Sequence, residues 1–154
     1  MDIVHRIGIK APADRVYAAL ATIDGLSGWW TRHTTGQSQP GGRVAFRFQG
    51  AAGDDIGGFG MDVLELSPDC KVHWRVADGP PEWVGTDVEF ELSQQDGQTI
   101  VMFGHRQWRD AGPGGEFMAH CSTKWATFLL SLRDLVEAGQ GRPAPRDLKI
   151  SNWH

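Results

Sequence analysis

Residues 117–139 read FMAHCSTKWATFLLSLRDLVEAG. Within them Phe117, Cys121, Trp125, Phe128, Leu132 and Leu135 recur at steps of four and three, the spacing that stacks side chains on one face of an α-helix. The stripe continues for about five turns, and Arg133, Asp134 and Glu137 fall outside it. Gly112-Pro113-Gly114-Gly115 breaks the chain ahead of this segment; Ala138-Gly139 supplies a C-cap, and Gly141 with Pro143 stops any continuation. One long amphipathic helix is predicted. It must bury its apolar stripe on something, and what precedes it is a series of strands.

Ahead of the helix the apolar period changes from 3.6 to two. Thr99 to Gln107 puts Val101, Phe103 and His105 on one face, and Asp96-Gly97 before it is a hairpin signal. Thr86, Val88, Phe90 and Leu92 alternate against Asp87, Glu89 and Glu91, which read as a solvated outer face. Asp78-Gly79-Pro80-Pro81 turns the chain, and Val72, Trp74 and Val76 alternate with His73 and Arg75. Ser67-Pro68-Asp69 is another turn; the run Phe59 to Leu66 changes phase between Val63 and Leu64, which predicts a bulge. Arg43 to Gln49 places Val44, Phe46 and Phe48 together, between a polar connection (Thr31 to Gly42) and a loop (Gly50 to Gly58). At the start, Ile3, His5, Ile7 and Ile9 share one face of a strand ending at Lys10. Pro12 at the first helical position opens a short helix through Ala21 with a stripe of Val16, Tyr17 and Leu20. Asp24 is expected to cap a second short helix carrying Trp29-Trp30, weakened by Gly25 and Gly28. The sum is an α+β fold: a curved antiparallel sheet of six strands, two short helices between the first and second strands, and a long C-terminal helix across one face. One domain over residues 1–154 is expected, with a core of about 2–143 and a tail, 144–154, that carries no periodic pattern.

Fifteen Lys+Arg stand against 19 Asp+Glu, a formal charge of −4, which lacks the positive footprint of a nucleic-acid binder. No apolar run approaches the roughly 18 residues that a membrane span needs. Met1-Asp2-Ile3-Val4-His5-Arg6 lacks the basic start and apolar stretch of a signal peptide. Cys70 and Cys121 form no CxxC pair and read as reduced thiols, so a cytoplasmic location is expected. Seven of the aromatic residues are Trp and seven Phe, against one Tyr, and Gly reaches 20 of 154. Many turns and a few bulky rings gathered at one interior fit that composition.

Several local strings resemble the helix-grip fold of the START-like, or SRPBCC, superfamily, and more narrowly its AHSA-like subfamily, the bacterial relatives of the C-terminal domain of a heat-shock ATPase activator. They are Ile9-Lys10-Ala11-Pro12-Ala13-Asp14-Arg15-Val16-Tyr17-Ala18-Ala19-Leu20, Gly25-Leu26 followed by Trp29-Trp30, Glu82-Trp83-Val84-Gly85-Thr86 leading to Phe90, His105 to Trp108, and Lys124-Trp125 with Leu129, Leu132 and Gly139. The resemblance implies a deep, mainly apolar cavity between sheet and long helix that holds a hydrophobic small molecule. It does not imply one chemistry, since the superfamily transfers, senses and catalyses with the same cavity.

The residues that would line such a site are Trp29, Trp30, Phe46, Phe48, Trp74, Trp83, Phe103, His105, Trp108, Cys121, Lys124, Trp125 and Phe128. Tryptophan suits both a packed core and an aromatic-ligand site, so the same rings either grip a guest or fill the space themselves. Lys124 falls inside the apolar stripe; either its stem lies along apolar surface with its head in water, or it meets an acidic ligand group or acidic side chain. His5 and His105 share inward phases and are the candidates for acid–base catalysis or for a hydrogen bond to a ligand, the alternative being satisfied core or rim histidines. His120 and Cys121 diverge by about 100° on a helix and make no dyad. Asp62 and Glu82 are rim candidates. No HExxH, paired cysteines or histidines at ligand spacing occur, so neither metal nor cofactor is expected. The leading expectation is a protein that binds a hydrophobic, aromatic small molecule, with no nucleic-acid or membrane partner and a homodimer left open. The alternatives are a cyclase-, aromatase- or hydrolase-like enzyme using a cavity histidine, and a co-chaperone-like interaction module.

Overall fold

The computed structural model describes residues 1–154. The chain runs β1 (Ile3–Ile9), α1 (Ala13–Ala21), α2 (Ile23–Trp29), β2 (His33–Gly36), β3 (Arg43–Gln49), β4 (Asp55–Ser67), β5 (Lys71–Asp78), β6 (Asp87–Gln95), β7 (Gln98–Arg106), a 3-10 turn (Pro113–Gly115) and α3 (Glu116–Ala138). All strands lie in one antiparallel sheet ordered β1-β7-β6-β5-β4-β3-β2. The α+β architecture with a long C-terminal helix is as the sequence predicts. The strand count is not: there are seven, because β2 lies within the stretch read as a polar connection. Its reason is physical. β2 is a four-residue edge strand whose one buried side chain is Thr34, so it shows no apolar alternation.

Elsewhere the alternation holds. Val88 and Phe90 are buried from β6 while Glu89 and Glu91 face outward. The expected bulge appears as a register shift between Val63 and Glu65, and a second shift at Phe48/Gln49 adds curvature at the β3–β4 end. Asp87 departs from expectation. It is buried, because Arg75 and His73 close over its carboxylate.

Around the short helices two details change. Pro12 is the N-cap of α1 and not its first helical residue. Thr22, not Asp24, caps α2, its Oγ1 accepting from Gly25 N–H at 3.0 Å. Gly25 and Gly28 also have a packing role. A Cβ on Gly25 would sit 2.5 Å from Ala19 Cα, and one on Gly28 2.9 Å from Leu135 Cδ2, so both let α2 press closely on its neighbours. The sheet curves over α3, which contributes Cys121, Trp125, Phe128, Leu129, Leu132 and Val136 to a core cluster of 31 residues and buries Ser131 beside them. No helix is long and apolar enough to cross a membrane.

Candidate functional site

The sequence-predicted rings converge. Trp30, delivered by the end of α2, lies 4.2 Å from Phe46, 4.9 Å from Trp125, 6.2 Å from Trp74 and 6.4 Å from Phe128, measured between ring centroids. It also stacks on Trp29 and meets Phe48 edge-on, both at 5.9 Å. Around Trp83 a second group forms, with Phe59 stacked at 4.1 Å, His105 at 4.6 Å, Trp125 at 5.9 Å and Trp108 at 6.3 Å. Phe103 joins them through Trp125 at 4.5 Å. These rings touch one another across the space between sheet and α3. Two concavities, of about 610 and 240 Å³, lie outside them. The larger is polar and flanked by Lys10, Pro12 and the β6–β7 turn at Asp96; the smaller runs beside α3 and meets the aromatic interior only through Phe128.

His105 is fully buried and both its nitrogens are engaged. Trp125 Nε1–H donates to Nδ1 at 3.2 Å, so Nε2 carries the proton and donates to Thr86 Oγ1 at 2.7 Å. Thr86 Oγ1–H in turn donates to the Trp83 carbonyl at 2.5 Å. Burial holds the imidazole pKa down at about 3. His5 is separately occupied, with Nε2 3.0 Å from the Ser122 carbonyl and 3.2 Å from its hydroxyl. The two histidines share no partner; His105 has both nitrogens engaged, whereas His5 is held through Nε2.

Lys124 lies at the edge of the ring cluster, over Phe128, and turns to the C-terminal tail. Its Nζ donates to Asp147 Oδ2 at 2.6 Å and to the Leu148 carbonyl at 2.7 Å, with the Phe128 ring 5.0 Å away. The acidic partner is thus a side chain from the tail, which periodicity had no means of placing. Burial pushes the Cys121 thiol up to about 12, leaving it a small apolar filler. His120 turns outward to Trp153, at 5.3 Å.

Polar satisfaction within the interior is uneven. Trp29 Nε1–H donates to the Ala19 carbonyl at 2.8 Å, and Trp125 donates to His105. The indole N–H groups of Trp74, Trp83 and Trp108 are buried without any partner. Each such donor forfeits about 1–3 kcal/mol, and native interiors seldom tolerate several.

On the outer face, His73, Asp87 and Glu89 bring one ligand atom each within 4.8 Å of one another. The cluster is already neutralised: Arg75 Nε and a terminal nitrogen sit 2.8 and 3.2 Å from Asp87, and Arg106 Nε 3.6 Å from Glu89. Burial alone would raise the Asp87 pKa, but the hydrogen bonds from Arg75 and His73 outweigh it and hold the carboxyl below its usual range. This is an ion-pair network laid across β5, β6 and β7.

The family model for Activator of Hsp90 ATPase homolog 1-like protein matches residues 10–137. Among solved structures, the Aha1 dimer from Colwellia psychrerythraea is 42% identical, with a TM-score of 0.79 over 92% of this chain and 99% of that one. An AHSA1-like protein from Aeromonas hydrophila, 19% identical, has a TM-score of 0.71 over 90% of this chain and 94% of its own. A Staphylococcus saprophyticus protein, 14% identical, also reaches 0.71, over 94% and 98%. At such identities these two show the shared fold. Comparison with curated protein sequences gives no match. From the family match, the 42% relative and the sheet wrapped on α3, it follows that this chain belongs to the Activator of Hsp90 ATPase homolog 1-like family, within the START-like (SRPBCC) helix-grip superfamily.

Proposed function

We propose that the chain binds an apolar, aromatic small molecule bearing hydrogen-bond acceptors, held between the sheet and α3. One observation carries the reading: the unpartnered, buried indole N–H groups of Trp74, Trp83 and Trp108. An aryl ketone or quinone oxygen aimed at them recovers hydrogen-bond energy that the closed interior forgoes, while its rings replace the ring-to-ring contacts they displace. Burial at about 25 cal/mol per Å² then makes micromolar affinity attainable without special chemistry. Residues 2–143 form the binding unit, acting in the cytoplasm, and the two engaged nitrogens of the buried His105 favour binding over acid–base catalysis at that ring.

The test is a titration with 2-acetylnaphthalene followed by intrinsic fluorescence and by the indole N–H resonances. Saturable quenching is expected, with shifts at Trp74, Trp83 and Trp108 larger than at Trp29, whose N–H is already bonded. Indole resonances that stay fixed up to the solubility limit of the probe would overturn the reading.

A second reading, self-association, is favoured by the Colwellia relative described as a dimer. Light scattering should then give twice the 17.0 kDa chain mass; the single mass at high concentration removes it.

A further inference from the structure

The stretch beyond α3 follows a defined path. Gly139 ends the helix in the left-handed conformation, φ 83°, and Gly141 crosses where a Cβ would lie 2.5 Å from the Gly28 carbonyl oxygen. Arg142 N–H donates to Ser131 Oγ at 2.6 Å, and that hydroxyl donates to the Trp29 carbonyl at 2.8 Å. Ala144 pairs with the chain just after α2: its N–H reaches the Trp30 carbonyl at 2.8 Å, and its carbonyl accepts from Arg32 N–H at 3.2 Å.

Past Ala144 the segment turns back along α3, and its attachment thins. Asp147 Oδ2 accepts from Lys124 Nζ at 2.6 Å and from His154 Nε2 at 2.8 Å; Trp153 touches His120. Leu148 and Trp153 stay 47% and 49% exposed, so little apolar burial holds the segment down. Asp147 is the exception, its side chain only 2% exposed and its Oδ1 without a partner. Beside this clasp lies the groove of about 240 Å³, bordered by Thr127, Phe128, Ser131, Arg142, Asp147 and Leu148. Phe128 belongs to both sides, since its ring also lies 6.4 Å from Trp30 and 6.3 Å from Phe48.

We propose that residues 145–154 form a strap which, clasped by Asp147 on Lys124, keeps α3 closed against the end of α2 and controls passage of a guest through the seam at Phe128. The inference rests on the reading of the interior as a ligand site. The clasp is single: no other buried ion pair ties this segment to the body, and Leu148 contributes only its carbonyl to the same lysine.

Two variants decide it, Asp147→Asn and a chain ending at Ala144, each compared with the wild type by hydrogen exchange and by stopped-flow mixing with 2-acetylnaphthalene. In Asp147→Asn the hydrogen-bonded amides of Arg146 and Ile150 should lose protection by about tenfold. Association of the probe should quicken by about fivefold in both variants. Protection that survives Asp147→Asn overturns the clasp. A rate unchanged in the shortened chain overturns control of passage. If none of the three proteins takes up the probe, the ligand reading fails and control of passage falls with it, while hydrogen exchange still decides whether Asp147 holds the strap.

Discussion

Between Trp125 and Thr86, the His105 ring receives a donor at Nδ1 and offers its proton at Nε2, so the neutral tautomer satisfies every group it meets. Burial keeps that neutral form down to a pKa of about 3. In the unfolded chain the ring takes up a proton near pH 6.5. Between those values the unfolded state binds more protons than the folded one, so stability is full above about pH 6.5 and is lost on acidification, by up to about 1.4 kcal/mol per pH unit. Urea unfolding at pH 7 and pH 5 should show a larger drop for the wild type than for His105→Gln; equal drops would mean that the folded ring already titrates normally. The inward phase of His105 was legible along its strand, but Thr86, 19 positions away, is named as its partner only by the sheet register. Lys124 was visible as a misfit in an apolar stripe. Its partner Asp147 was not, because it lies in a tail without period.

Helix α2 shows why two glycines cannot be read from spacing alone. In sequence they weaken a short helix; in the fold one of them is a spacer that nothing else can replace. The Cβ of an alanine at position 25 would meet backbone, with Ala19 Cα at 2.5 Å and the Ala18 carbonyl oxygen at 2.6 Å. Gly25→Ala should therefore destabilise by about 1–3 kcal/mol in chemical denaturation. Gly28→Ala meets only the flexible end of Leu135, at 2.9 Å. There the gain of about 1 kcal/mol in helix propensity offsets the adjustment, and the change should be near neutral. Similar losses at both positions would show that α2 is not packed as described. The long stripe of α3 and the alternation of β5 and β6 were legible because each buries one continuous face. β2 was not, since an edge strand held by backbone pairing and one threonine carries no apolar signal.

Whether the aromatic residues line a space or fill it depends on summed volume, which no periodic pattern records. The interior has rings in mutual contact from Phe48 to Trp108, yet leaves indole donors at Trp74, Trp83 and Trp108 unspent. Its sheet and long helix are joined by a hydrogen-bond chain of one direction, Trp125 to His105 to Thr86 to the Trp83 carbonyl. That chain ties the position of α3 to a proton. Moving the helix off the sheet takes the indole from His105 Nδ1, admits water beside the ring and lets its pKa climb from about 3 towards its ordinary 6.5. On the proposed binding mode, a guest that parts helix from sheet should draw in a proton, bind more tightly as pH falls below about 6.5, and show a binding enthalpy that depends on the ionisation heat of the buffer. Acid thus favours separation of α3 from the sheet, even as it weakens the folded chain as a whole.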